Sequence, residues 1–144
     1  MNAIGKPRWE FSRMRLVYFG LATGVVMAGL LLRLMPVGLP YPVVKWGGSV
    51  LWAAMVYLLV AAVWPDWQVL TTASVAGAIA GVVELSRLYH AAWLDAFRIS
   101  LAGMLLLGRV FDGWHFLAYW GTIALVAAAD RKSRDWKLMR ARLG

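Results

Sequence analysis

Hydrophobic side chains fall along this chain in long unbroken runs, without the three-to-four-residue rhythm of a helix that has one wet face. The first run, Leu16 to Leu32, holds seventeen uncharged residues inside a predicted helix over 16–34. At about 1.5 Å of rise per residue, roughly 17–25 residues cross a hydrocarbon core of about 30 Å. Three more helices of spanning length are predicted over 46–64, 69–89 and 113–129. Trp46 and Trp64 stand at the two ends of the second, where indole rings settle at membrane interfaces. Met35 to Pro42 carries three of the five prolines and predicts a turn-rich connection. Pro65, Asp66, Trp67 and Gln68 predict a tight link.

Ile99 to Leu107 is also apolar, but nine residues between Arg98 and Arg109 are too few to cross. They predict an interfacial or re-entrant segment, which persists at membrane depth only where protein or water covers its backbone. The expected fold is all-α: a polytopic membrane helix bundle of four transmembrane helices plus that short segment, in one domain over 1–144. Residues 1–15 form a basic cytoplasmic lead. Residues 130–144 form a basic cytoplasmic tail, with Trp136, Met139 and Leu143 on one face of a surface helix.

Composition agrees with a bilayer as solvent. The chain is 62% hydrophobic, against about 45–50% for soluble domains. Its net charge of +8 sits at the two ends. Lys6, Arg8, Arg13 and Arg15 precede the first run, and Arg131, Lys132, Arg134, Lys137, Arg140 and Arg142 follow the last. That is the positive-inside pattern, and an even number of spans puts both ends on the cytoplasmic side of the membrane. A nucleic-acid partner would need a basic face on a soluble fold, and no stretch remains to build one. The basic start resembles a secretory signal. However, its apolar run exceeds the usual core of about 7–15 residues, and no small-x-small site follows before Arg33, so an uncleaved first helix is expected. The absence of cysteine excludes disulfides, thiolate metal sites and cysteine nucleophiles.

The candidate chemistry lies in Glu84 to Arg98, ELSRLYHAAWLDAFR. Charges at membrane depth are expensive, so such residues pair, face protein or mark a site. Ala73, Gly77 and Gly81 recur every four residues, a spacing that lets two helices approach closely in lipid. Glu84 lies seven residues after Gly77, on nearly that face, and is expected to point into the bundle. Arg87 follows at i+3, within pairing distance. The candidate polar cluster is Glu84, Arg87, His90, Trp93, Asp95, Arg98 and Asp112, at the extracytoplasmic mouth.

The pattern Glu84-x-x-Arg87-x-Tyr89-His90-x-x-Trp93-Leu94-Asp95-x-x-Arg98, then Leu107-Gly108-x-x-Phe111 and Ala118-Tyr119-x-Gly121, resembles a small uncharacterised bacterial inner-membrane family related to VanZ-like proteins. Arg87 and His115 depart from the pattern, which carries glutamine and aspartate there. The resemblance implies a role in the cell envelope and no particular reaction.

Several readings stay open. The cluster suits binding of membrane lipid, by way of an anionic lipid or envelope-precursor head group, since arginine offers phosphate a planar fork of donors. A small proton-coupled carrier would use Glu84 as its titrating group. An assembly subunit would meet a membrane-protein partner or a second copy through Gly20 and Gly24, or Gly77 and Gly81. A structural ion pair between the last two spans is the plainest alternative. His90, His115, Glu84, Asp95 and Asp112 have no metal-ligand spacing, so no metal is expected. No cofactor motif occurs, and Ser86 and Ser100 lack the surroundings of a nucleophile.

Overall fold

The computed structural model describes residues 8–34, 40–100, 103 and 113–143. Among them are five helices: α1 Arg8–Leu34, α2 Tyr41–Val63, α3 Val69–Ser86, α4 Ala92–Ile99 and α5 Trp114–Leu143. Within α1, α2 and α3, the stretches Ser12–Leu34, Pro42–Val63 and Val69–Ser86 are long and apolar enough to cross a membrane. The expected all-α membrane architecture holds to that extent. The fourth expected span, 113–129, is the first half of α5 and is interrupted by polar residues such as His115 and Thr122.

The boundaries differ from expectation for local reasons. Part of the basic lead is helical, because no proline falls between Pro7 and Pro36 and α1 begins at Arg8. The proline-rich connection is shorter than predicted. Pro40 caps α2 and Pro42 sits in its first turn, where a missing N–H costs no helix hydrogen bond. The third helix stops at Ser86 instead of reaching Tyr89. A short helix, Ala92–Ile99, precedes the segment expected to be interfacial or re-entrant over 99–107. Most of 99–107, with Arg109 and Asp112, lies outside the described residues. The tail is helical and continues α5 without a break as far as Leu143.

α2 is central and packs against α1, α3 and α5, while α3 also packs on α5. Its inward stripe is Ala53, Tyr57 and Ala61, each fully buried. α3 turns Thr72, Ala76, Ala80 and Glu84 inward, and α5 turns His115, Tyr119, Ile123, Ala127 and Asp130. The small residues among these let backbones approach, the usual basis of helix contact in lipid. The glycine stripe of α3 is not the tight face. A methyl group at Gly77 would meet nothing within 4 Å, and one at Gly81 only Phe116 at 3.8 Å. The packing stripe is one residue earlier, a rotation of about 100° on a helix.

Side-chain contacts fix the directions of the four long helices. Arg15, early in α1, donates to the Val63 carbonyl at the end of α2. Glu84, late in α3, lies beside His115 at the start of α5. Tyr18 of α1 reaches Asp130 in the second half of α5. Thus α1 and α3 run one way and α2 and α5 the other, and the chain's two basic regions, 8–15 and 131–142, lie at the same end of the bundle.

Candidate functional site

α3 delivers Glu84 to its last turn on the inward stripe, with no exposed surface. Arg87, at the C-cap of α3, bends back so that its Nη1 is 2.7 Å from Glu84 Oε2. The same nitrogen is 3.1 Å from His115 Nδ1, and Nη2 donates to the Tyr119 hydroxyl at 3.1 Å. His115 and Tyr119 are four residues apart on α5, so both rings face α3. His115 Nδ1 also lies 3.5 Å from Glu84 Oε1. A guanidinium has only hydrogens to offer, so Nδ1 accepts from Arg87 and the neutral imidazole carries its hydrogen on Nε2.

A second group forms over the break between α3 and α4. Arg98 is buried, and its Nη1 donates to the Tyr89 carbonyl at 3.0 Å and to Asp95 Oδ1 at 2.8 Å. Its Nη2 donates to the Ser86 carbonyl. Arg98 therefore closes the C-terminus of α3, where carbonyls lack helical partners and a cation is favoured. His90 Nδ1 is 3.5 Å from Asp95 Oδ2, with His90 exposed and Asp95 half-buried. Trp93, at 71% exposure, stands on the outer side of α4 with Phe97 and Ile99.

The seven predicted residues thus divide into two groups. Glu84 and Arg87 join His115 and Tyr119. His90, Asp95 and Arg98 form a separate group with Trp93 outside it, and Asp112 lies outside the described residues. Three buried ring or guanidinium N–H groups, on Trp52 Nε1, Arg98 Nε and His115 Nε2, find no acceptor among the described residues. A buried donor left so costs about 1–3 kcal/mol.

Sequence reasoning missed a further cluster at the opposite end. Asp130 accepts from Tyr18 at 2.6 Å and from Tyr57 at 2.8 Å. Arg134, one turn later, donates through Nε to both carboxylate oxygens at 3.2 Å. It continues to the Trp67 carbonyl at 2.9 Å and the Tyr18 hydroxyl at 3.2 Å. Burial opposes the Arg134 charge, but hydrogen bonding and charge attraction to Asp130, together with those to Tyr18, outweigh it and raise the Arg134 pKa above the ordinary arginine value. The available signal was an acid closing an apolar run with an arginine at i+4, and two tyrosines inside apolar helices whose hydroxyls need partners.

Residues 39–121 match a family described as "Protein of unknown function (DUF2809)". The chain belongs to the DUF2809 family. The expected kinship with an uncharacterised family holds in that form, and nothing in the match links DUF2809 to VanZ-like proteins. The matched region contains every residue of the Glu84 and Arg98 groups. Of the opposite cluster it contains Tyr57 and Trp67, but not Tyr18, Asp130 or Arg134. No solved structure matches the chain.

Proposed function

We propose that this DUF2809 protein crosses the bacterial inner membrane four times, keeps both termini in the cytoplasm, and binds an anionic lipid or envelope-precursor head group at its extracytoplasmic mouth. The topology draws support from the charge pattern and from the clustering of both basic regions at one end of the bundle. α4 supports the placement of the mouth. It turns Trp93, Phe97 and Ile99 outward and Arg98 inward, as a helix lying at head-group level would.

The observation that carries the head-group reading is Arg98. Two of its nitrogens hold α3 and Asp95, while its Nε–H has no acceptor among the described residues and lies beside the partly open His90–Asp95 pair. A phosphate oxygen would complete the guanidinium. The test is lipid retained by the purified full chain, read by native mass spectrometry after incubation with phosphatidylglycerol or phosphatidylcholine. Arg98→Lys keeps a cation that can reach the Ser86 carbonyl but removes Nε. Selective retention of phosphatidylglycerol by the wild type, reduced in Arg98→Lys at unchanged helicity, is expected. Equal retention of both lipids, or no effect of the substitution, rejects it.

One arrangement favours a second reading, a proton-coupled carrier. His115 Nδ1 lies between a donor, Arg87, and the Glu84 carboxylate, so one added proton would turn it from acceptor to donor toward Glu84. Proton uptake in proteoliposomes that disappears in Glu84→Gln would establish that reading, and unchanged uptake would remove it.

A further inference from the structure

Two of the N–H groups without an acceptor among the described residues, on Trp52 of α2 and His115 of α5, lie on the seam between those helices. His115, 7% exposed, carries its hydrogen on Nε2 because Arg87 occupies Nδ1. Trp52 offers only Nε1–H. Both rings rest on the same phenol: Trp52 is 5.1 Å and His115 5.7 Å from the Tyr119 ring centre. The Tyr119 hydroxyl already accepts from Arg87. Trp46, half a dozen residues before Trp52, meets His115 edge to face at 6.1 Å. If Trp46 marks the interface, His115 beside it lies at that level and Trp52 about 9 Å deeper along the helix, so the two rings bracket the layer just beneath the phosphates.

Both groups are donors, so what completes them is an acceptor. Water would bring two hydrogens that need acceptors of their own. The oxygens of a lipid ester or phosphodiester bring none. At a depth below the phosphates the ester carbonyl is the available oxygen of that kind. We propose that the α2–α5 seam at Trp52 and His115 is a lipid-binding site that receives an acyl-ester carbonyl. The inference rests on reading the mouth as a lipid site, but it assigns a different contact. The head group answers to Arg98 and the ester to the two ring N–H groups.

The two can fail separately. Wild-type protein is incubated with diester phosphatidylglycerol, its diether analogue and diester phosphatidylcholine, and the retained lipid is read by native mass spectrometry. The diether lipid keeps the phosphodiester and lacks only the carbonyls. The ester form is expected to be retained about fivefold more than the ether, the size of one net hydrogen bond. Trp52→Phe, which keeps a ring on Tyr119 and loses the N–H, should shrink that ratio toward one. Equal retention of ester and ether by the wild type overturns the proposal, since a phosphodiester oxygen or water would then serve the seam. An unchanged ratio in Trp52→Phe overturns it too. A preference for ester over ether without preference for glycerol over choline leaves the seam site standing and rejects the head-group reading. The wild-type comparison needs no variant to fold.

Discussion

The bundle holds a buried carboxylate at each end, and the two are used differently. Asp130 is enclosed by two phenols and a guanidinium drawn from α1, α2 and α5, and Arg134 continues to the α2–α3 link. Its partners come from three helices and a link, and the arrangement reads as a clasp. Glu84 is served by Arg87 from its own helix and by one face of α5, next to ring N–H groups that have no acceptor among the described residues. The family match encloses the Glu84 end completely and cuts through the Asp130 end. A saturated network stabilises a shape. One with donors left over has capacity for a ligand, and that contrast is the reason for placing the candidate site at the Glu84 end of the bundle.

The sharpest way to break the contrast is Asp130→Ala. It leaves Arg134 and two phenols without their acceptor and should cost about 3–5 kcal/mol, measured by unfolding in detergent. α1 should loosen from α5, seen as a lost cross-link between cysteines introduced beside Tyr18 and Asp130. A loss under about 1 kcal/mol would mean that the clasp does not hold the fold. Arg87→Ala should cost a similar or slightly smaller amount by stranding Glu84 in a dry interior. Glu84→Leu combined with Arg87→Leu should recover most of that loss, since neither charge is then left unpaired. Retention of phosphatidylglycerol carried by Arg98 should persist in that double variant, and its loss would move the head-group contact to the Glu84–Arg87 pair.

Smaller effects sharpen the picture. Tyr57→Phe removes one hydrogen bond to a carboxylate and should cost about 1.5–3 kcal/mol. Arg98→Lys should leave global stability nearly unchanged but speed amide hydrogen exchange around 86–91, where Arg98 closes the end of α3. The smallest change belongs to Gly77→Ala. Its methyl meets nothing within 4 Å, and replacing a helical glycine gains about 0.5–1 kcal/mol. A clear destabilisation there would restore the glycine stripe as the tight face.

Much of the fold was legible without coordinates. Run length and end charges predict an all-helical membrane chain, because hydrocarbon admits few other ways to satisfy a backbone. The burial of Glu84 and its pairing with Arg87 also follow from the order of residues, since i+3 neighbours meet on any helix. The reason first given for that burial was one residue out of phase. Neighbouring small residues on α3 share similar chemistry, and only packing against α2 and α5 selects Thr72, Ala76 and Ala80 over Ala73, Gly77 and Gly81.

Local order determined what could be a helix and which charge had a near partner. Tertiary structure decided which distant groups completed each site. Asp130 meets Tyr18 and Tyr57 across more than seventy residues of chain, and His115 reaches Glu84 only because α3 and α5 run in opposite directions. The physical reason is range. Propensity and hydropathy act over a few turns, whereas a hydrogen bond between helices depends on how several inward faces rotate to fill one interior.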